Sequence, residues 1–273
     1  MELQTTVYEM VAPHVARITM NRPEARNAQD DRLTYDLNAC FDRAAQDDDV
    51  KVILLGGAGP HFSSGHDLRA DPLEDETLVG VWGLPGEAGV HRRYSREREV
   101  YLDMCRRWRD LPKPTIAMVH GKCIAGGLSL AWVCDLIVAS DDAAFIDPVV
   151  GLGVCGIEYF AHPYELGVRK AKELLFTADW WSAQEAHRLG MVNHVVPRAE
   201  LEAFSLAMAV RIAQKPAFAL KLTKQAVNAA QDNMGQRSTM ETSFALHHLC
   251  HCHLEEQGGP EPATLLDKSA RRF

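Results

Sequence analysis

The chain has 273 residues, of which 47% are hydrophobic and 24% charged, so it can bury a substantial core. Its formal net charge of −8 at neutral pH argues against a nucleic-acid-binding protein, which would present a basic face to phosphates. No stretch approaches the roughly 20 consecutive apolar residues of a membrane-spanning helix, and we expect a cytoplasmic protein with neither nucleic acid nor membrane as a partner.

The first half of the chain reads as alternating strands and helices. Residues 15–20 form an apolar run that stops at Asn21-Arg22-Pro23, which predicts a strand entering a turn. Residues 30–46 repeat apolar positions every three or four residues, as an amphipathic helix does. The β-branched run 50–55 predicts a buried strand. A similar unit follows, with strands at 115–119 and 136–139 around a helix at 128–132.

The segment 69–110 separates these two units and is polar, charged and rich in proline and glycine in its first part. A long loop inside a compact domain is usually functional or disordered, so this insertion is a candidate lid. Its second part predicts a helix over 94–108.

Beyond residue 160 the pattern becomes helical. Helices are predicted near 170–176, 182–189, 201–213, 217–230 and 238–254. Ser182 and Glu185 have the spacing of a capping box at the start of the second of these. We therefore expect an α/β core over residues 1–200 and a helical region with a flexible tail over 201–273.

The spacing of the cysteines and histidines does not strongly indicate a metal site. The seven cysteines are odd in number and scattered, which is typical of reduced thiols. The stretch 247–253 holds four histidines and two cysteines, and on a helix His247 and His251 would share a face. These residue types bind metals, but no matching ligand pair recurs elsewhere. We favour a packed helix and predict no metal site.

Two glycine-containing turns, each after an apolar strand, are the strongest candidates for chemistry. They are Phe62-Ser63-Ser64-Gly65-His66-Asp67-Leu68 and His120-Gly121-Lys122-Cys123-Ile124-Ala125-Gly126-Gly127-Leu128-Ser129. Glycine lets backbone amides approach a ligand closely. Neither turn has the spacing of a phosphate-binding loop.

Together, and in this order, the turns resemble the crotonase superfamily, which contains the enoyl-CoA hydratase/isomerase family. Further matching segments are Asn21-Arg22-Pro23-Glu24-Ala25-Arg26-Asn27-Ala28, Lys113 to Gly121, Cys134 to Ala139, and Ser182 to Asn193. The resemblance covers the chain from Val15 to about Gln231.

The resemblance implies a fold and a ligand. The expected fold is a crotonase-like α/β spiral of ββα units with a C-terminal helical oligomerisation region, assembled as a homotrimer or a dimer of trimers. The expected substrate is an acyl-CoA thioester. Coenzyme A is then part of the substrate, and no separate cofactor is expected.

The resemblance also implies a site. The backbone N–H groups of Ser64 and Gly126 should form an oxyanion hole that stabilises a thioester enolate. Residues expected to bind substrate are Ala25, Arg26, Ala28, Ser64, His66, Asp67, Leu68, Gly126, Pro148, Val149 and Leu152. Arg26 could contact a phosphate of coenzyme A or be a solvated surface residue. Lys221 and Lys224 are weaker phosphate candidates.

The acid/base residues depart from the family's pattern. Ser129 and Val149 occupy the positions of the two glutamates of a typical hydratase. Serine is a poor proton acceptor near neutral pH, and valine is none. We therefore expect Glu158 to be the working carboxylate, followed by Asp147, with His162 as a further alternative.

Several functions remain open at this point. The family-level expectation is an enoyl-CoA hydratase with relocated acid/base groups. A double-bond isomerase needs only one proton carrier, which a single carboxylate favours slightly. An acyl-CoA hydrolase, and a catalytically silent acyl-CoA-binding protein, are the remaining alternatives.

Overall fold

The computed structural model describes residues 3–70, 81–82 and 89–258. Much of the first part of the candidate lid, and residues 259–273 of the predicted flexible tail, lie outside these described residues. Both therefore stay predictions.

The strands form two sheets. In chain order they are β1 (Thr6–Ala12), β2 (Val15–Met20), β3 (Val52–Gly57), β4 (Thr115–Val119), β5 (Lys122–Ile124), β6 (Leu136–Ser140), β7 (Ala144–Ile146), β8 (Trp181–Ser182) and β9 (His194–Val196). The large sheet has the order β1-β2-β3-β4-β6-β9, with only the edge strand β1 antiparallel among these strands. The small sheet has the order β5-β7-β8. β5 follows β4, and β7 follows β6, so successive strand pairs build both sheets side by side.

Helices follow these strand pairs and dominate the C-terminal part. They are α1 (Asp31–Gln46), α2 (Val90–Glu97), α3 (Met104–Arg109), α4 (Gly126–Trp132), α5 (His162–Leu166), α6 (Val168–Thr177), α7 (Ala183–Leu189), α8 (Leu201–Ala213), α9 (Ala217–Asn233) and α10 (Gln236–Glu256). A π-helical segment, Arg98–Asp103, joins α2 to α3. No described helix is both long enough and apolar enough to cross a bilayer.

Local signals explain where the helices start. The Asp30 carboxylate accepts the Leu33 N–H at 2.8 Å and caps α1. The Ser182 hydroxyl accepts the Glu185 N–H at 3.2 Å and caps α7, as the sequence predicts. The predicted α1 is confirmed.

The central strands are buried on both faces. Ile53 and Leu55 of β3 point into the main core, which α1, α3 and α4 complete. Val52 and Leu54 point to the opposite face, where α8 covers the sheet. This two-sided burial explains the continuous apolar run in the sequence. All seven cysteines are free thiols, and four of them are buried.

Candidate active site

The turns that follow β2, β3 and β4 meet at the carboxyl ends of these parallel strands. The Gln29 N–H donates to the Gly65 carbonyl at 2.8 Å, and the Asp67 N–H donates to the Gln29 carbonyl at 2.9 Å. These bonds form a β-bridge between Gln29 and His66, and a second β-bridge pairs Ser63 with Cys123. The two glycine-containing turns are therefore held side by side.

Polar side chains hold the first turn in place. The buried Asn27 amide donates to the Ala58 and His61 carbonyls at 2.9 and 3.0 Å. Arg22 donates to the Ala28 carbonyl at 2.6 Å and to Asp67 Oδ2 at 3.1 Å. The predicted substrate contact Asp67 is thus occupied by Arg22, and its role here is to tie two turns together.

A cavity of about 140 Å³ opens beside these turns. It is lined by Ser64, His66, Leu68, Glu97, Ile124, Ala125, Pro148, Val149, Leu152, Val154, Ile157, Glu158, His247 and His251. Seven of these were predicted site residues. Ala25, Arg26, Ala28, Asp67 and Asp147 were also predicted, but they do not line this cavity. Gly126 follows the lining residue Ala125 directly.

Backbone N–H groups at the cavity differ in whether they have an acceptor. The Ser64 N–H donates to the Arg26 carbonyl at 3.0 Å, so it is not free to receive a substrate oxygen, contrary to expectation. The His66 and Gly126 N–H groups donate to no acceptor among the described residues. Gly126 is the first residue of α4, where N–H groups have no intrahelical partner.

The same two residues are packed against each other. A Cβ atom on Gly126 would lie 2.5 Å from the His66 ring atoms Cδ2 and Nε2. The same ring stacks on Tyr101, with 3.6 Å between ring centroids and 9° between planes. Tyr101 belongs to the π-helical segment. Position 126 therefore needs glycine in order to accept the stacked imidazole.

Glu158 brings a carboxylate to the cavity wall. Only 3% of its surface is exposed, and Oε1 lies 3.6 Å from His66 Nδ1 and 3.6 Å from His247 Nε2. Glu97, from the end of α2, lies 3.4 Å from His247 Nε2. The cavity thus carries two carboxylates and three histidines.

Burial and charge together set the protonation of this group. Burial lowers the pKa of His66, and the neighbouring carboxylates do not offset it. Glu158 and Glu97 raise the pKa of His247 in spite of burial. The surrounding histidines in turn lower the pKa of Glu97. Burial and the charge of His247 lower the pKa of His251 to about 4. Near neutral pH His247 therefore carries the positive charge of the cluster.

The alternative acid/base residues lie away from the cavity. Asp147 Oδ2 is 2.8 Å from His162 Nε2, and both side chains are almost completely buried. Asp147 Oδ1 also accepts the Val149 N–H at 3.3 Å, which fixes the following turn. Ser129 is buried within α4 and does not line the cavity. Of the carboxylates considered from sequence, only Glu158 reaches the cavity.

The basic residues considered as phosphate contacts lie in different surroundings. Lys224 is buried, pairs with Asp135 at 2.8 Å and donates to the Lys113 carbonyl at 3.1 Å, so it does not face a ligand. Arg26 is exposed on the turn whose carbonyl holds Ser64. Burial, and then the charges of Lys122 and Arg26, lower the pKa of His61, so both cations lie near this imidazole.

Sequence reasoning missed Glu97 and the contribution of α10 to the cavity. Glu97 lies in the insertion, and His247 and His251 lie in the C-terminal helix, so neither belongs to a recognisable turn motif. The only available signal was the four-residue spacing of the two histidines. That spacing places them on one face of a helix but does not identify what the face contacts.

Comparison with known proteins identifies the family of the chain. Residues 11–261 match the sequence profile of the family described as enoyl-CoA hydratase/isomerase. A Mycobacterium tuberculosis protein named "Putative enoyl-CoA hydratase EchA13" is 45% identical over 254 residues, which cover 90% of this chain and 80% of that protein.

Solved structures show the same fold. A probable enoyl-CoA hydratase from Mycobacterium smegmatis is 46% identical, with a TM-score of 0.85, and the match covers 94% of this chain and 98% of that one. A probable enoyl-CoA hydratase from Mycobacterium thermoresistibile is 44% identical, with a TM-score of 0.84, and the match covers 92% of this chain and 98% of that one. The chain therefore has the crotonase fold and belongs to the enoyl-CoA hydratase/isomerase family of enzymes.

Proposed function

We propose that this enzyme hydrates an enoyl-CoA thioester, with Glu158 as the group that transfers protons. The observation that carries the proposal is the position of Glu158. This buried carboxylate lines the same cavity as the turn that presents the free His66 N–H, and it lies 3.6 Å from the His66 ring. Proton transfer and charge stabilisation could therefore act on one bound thioester.

The oxyanion hole in this proposal is formed by the N–H groups of His66 and Gly126. Both groups lack a protein acceptor among the described residues, whereas the Ser64 N–H has one. A pre-positioned donor of this kind contributes about 3 to 4 kcal/mol when negative charge develops on an oxygen. The thioester carbonyl oxygen is the atom that acquires this charge as the enolate forms.

Glu158 can account for both proton movements of hydration. The ionised carboxylate takes a proton from water while the water oxygen bonds to the β carbon and the double-bond electrons move to the thioester oxygen. The protonated carboxyl then returns that proton to the α carbon, and the thioester carbonyl re-forms. No further reactant is needed, and coenzyme A takes part only as a portion of the substrate.

Double-bond isomerisation is the second candidate reaction. Glu158 would remove a proton from one carbon of the substrate and return it to another, again through a thioester enolate. The apolar Val149, at a position where a typical hydratase has glutamate, favours this reaction because isomerisation needs no second carboxylate to orient water.

Arg26 is the proposed phosphate contact for coenzyme A. Its backbone carbonyl holds Ser64, which lines the cavity, so the turn reaches the cavity wall. Lys122 lies near enough for both cations to influence His61. A local group of cations suits a polyanionic ligand on a protein whose overall charge is negative.

We also propose that the chain forms a homotrimer or a dimer of trimers in the cytoplasm. Large apolar side chains are exposed on α6, α9 and α10, namely Val168, Phe176, Phe218, Leu222, Val227, Leu246 and Leu249. Such a surface is typical of an association interface. The seven free thiols suit a reducing compartment.

The test is mass spectrometry of 2-enoyl-, 3-enoyl- and 3-hydroxyacyl-CoA thioesters incubated with wild type, Glu158→Gln and Glu173→Gln. Glu173 is an exposed carboxylate on α6 and serves as the matched control. Addition of water reports hydration, and a product of equal mass with a different retention time reports isomerisation. We expect Glu158→Gln to lose about 100-fold or more of the rate, as for removal of a general acid or base.

The outcomes separate the alternatives. Full activity of Glu158→Gln would contradict the proposed role. A free acid product would indicate thioester hydrolysis instead. If the wild type binds these thioesters but converts none of them, the chain is a silent acyl-CoA-binding member of the family.

A further inference from the structure

Three cavity residues from two distant helices bring their metal-ligating atoms together. These are Glu97 at the end of α2 and His247 and His251 on α10, and one ligating atom from each lies within 4.8 Å of the other two. His247 Nε2 is 3.4 Å from Glu97 Oε2 and 3.0 Å from His251 Nε2. Ligands about 2.0 to 2.2 Å from a tetrahedral zinc ion are about 3.3 to 3.6 Å apart. The two separations at His247 are already close to these values.

The tautomer of His247 suits metal binding. Its Nδ1 lies 2.8 Å from the Gly156 carbonyl oxygen, which can only accept a hydrogen bond, so Nδ1 keeps its proton when a metal ion displaces the proton on Nε2. Nε2 is then the nitrogen that faces Glu97 and His251. Metal-binding histidines are typically held in this way, with the second ring nitrogen donating to a carbonyl or carboxylate.

Glu97 has an unsatisfied oxygen at the same place. Its side chain is about nine-tenths buried, and Oε2 makes no hydrogen bond of good geometry to any described residue, although it lies 3.4 Å from His247 Nε2 and 3.3 Å from His248 Nε2. Buried carboxylate oxygens normally have hydrogen-bond partners or bind metals. This oxygen points at the histidine nitrogens, and Glu158 adds a second carboxylate 3.6 Å from His247 Nε2. The negative charges of these two carboxylates can therefore balance the charge of a bound cation.

We propose that Glu97, His247 and His251 form a binding site for one divalent transition-metal ion of the zinc type. Imidazole nitrogens with one carboxylate are ligands that such ions prefer. All three residues line the cavity, so three protein ligands leave a coordination position for water or another small ligand. The inference concerns metal binding and does not depend on which thioester reaction the enzyme catalyses.

The test uses the full-length chain without a histidine tag, freed of metal with a chelator and dialysed against Zn²⁺. Bound zinc is counted by elemental analysis, and Co²⁺ replaces zinc for a visible absorption spectrum. The variants are Glu97→Gln and His251→Gln. The control is His253→Gln, an exposed histidine on the same helix that is outside the cluster.

We expect wild type and His253→Gln to bind one zinc ion per chain and to give the intense cobalt spectrum of a low-coordinate site. Both cluster variants should bind at least about 100-fold more weakly, because loss of even an outer partner of a ligand costs 10- to 100-fold. Circular dichroism of each variant checks its folding. A wild-type protein that binds no zinc in a one-to-one ratio, or cluster variants that bind as tightly as His253→Gln, would overturn the proposal.

Discussion

Replacing Gly126 with alanine tests whether the packing of the candidate site is as tight as its geometry indicates. The added methyl group would lie 2.5 Å from two His66 ring atoms and 3.2 Å from Gln29 Nε2. Carbon atoms rest about 3.5 to 4.0 Å apart, so the imidazole must move by about 1 Å. The ring cannot move freely, because it is also stacked on Tyr101 with 3.6 Å between ring centroids.

The expected effect has two parts. Overpacking a buried site costs about 1 to 3 kcal/mol of unfolding free energy. A displacement of about 1 Å at a reacting centre can lower the rate about 100-fold. We therefore expect Gly126→Ala to be less stable and to have a much lower kcat, with both effects arising from one contact.

Urea denaturation measures the first effect, and turnover of the active thioester measures the second. A second substitution, His66→Ala, removes the ring but keeps the backbone N–H at position 66. The double variant Gly126→Ala/His66→Ala should be nearly as stable as the single variant His66→Ala. The reasoning is refuted if Gly126→Ala has wild-type kcat and stability, or if removing the His66 ring does not relieve the destabilisation.

Further predictions concern titration, a partly buried ion pair and ligand binding. Burial outweighs the nearby Arg109 charge and raises the pKa of Glu165 from 4.5 to about 7. The folded state therefore binds this proton more tightly than the unfolded chain does, and the free energy of unfolding should fall by about 3 kcal/mol as pH rises from 4.5 to 7. Glu165→Gln should remove this pH dependence, which urea denaturation at several pH values measures. Lys224→Met should cost about 1.5 to 3 kcal/mol of unfolding free energy, measurable as a lower urea midpoint, because the Asp135 carboxylate loses its cation but keeps its hydrogen bonds from Thr115. If the Arg26 guanidinium contacts a phosphate, Arg26→Ala should weaken coenzyme A binding by about 10-fold or more and reduce its salt dependence, as measured by calorimetry. Unchanged affinity would show that Arg26 is a surface residue without a role in binding.

The sequence predicts the regular elements well where burial imposes a period. The α1 helix follows from the spacing of its apolar residues and from the cap at Asp30. The edge strand β1 was not predicted, because its apolar and polar residues do not alternate clearly. Its apolar residues Val7 and Met10 are both exposed.

The candidate site was predictable only in part, since its geometry depends on backbone direction and distant contacts. A motif places Ser64 and His66 in one turn, but the bridge between Gln29 and His66 decides which N–H groups are free. Likewise, no local pattern brings Glu97 beside His247, because 150 residues of folded chain separate them.

The π-helical segment between α2 and α3 has a consequence for comparing relatives. Its hydrogen bonds span five residues instead of four, so the segment accommodates one more residue than a regular helix would. Removing one residue there would restore regular helical hydrogen bonding and leave α2 in about its present orientation relative to α3, so Glu97 would still face the cavity. A single-residue gap at Arg98–Asp103 in an alignment with a relative would therefore be compatible with an acidic group in the same position beside α10.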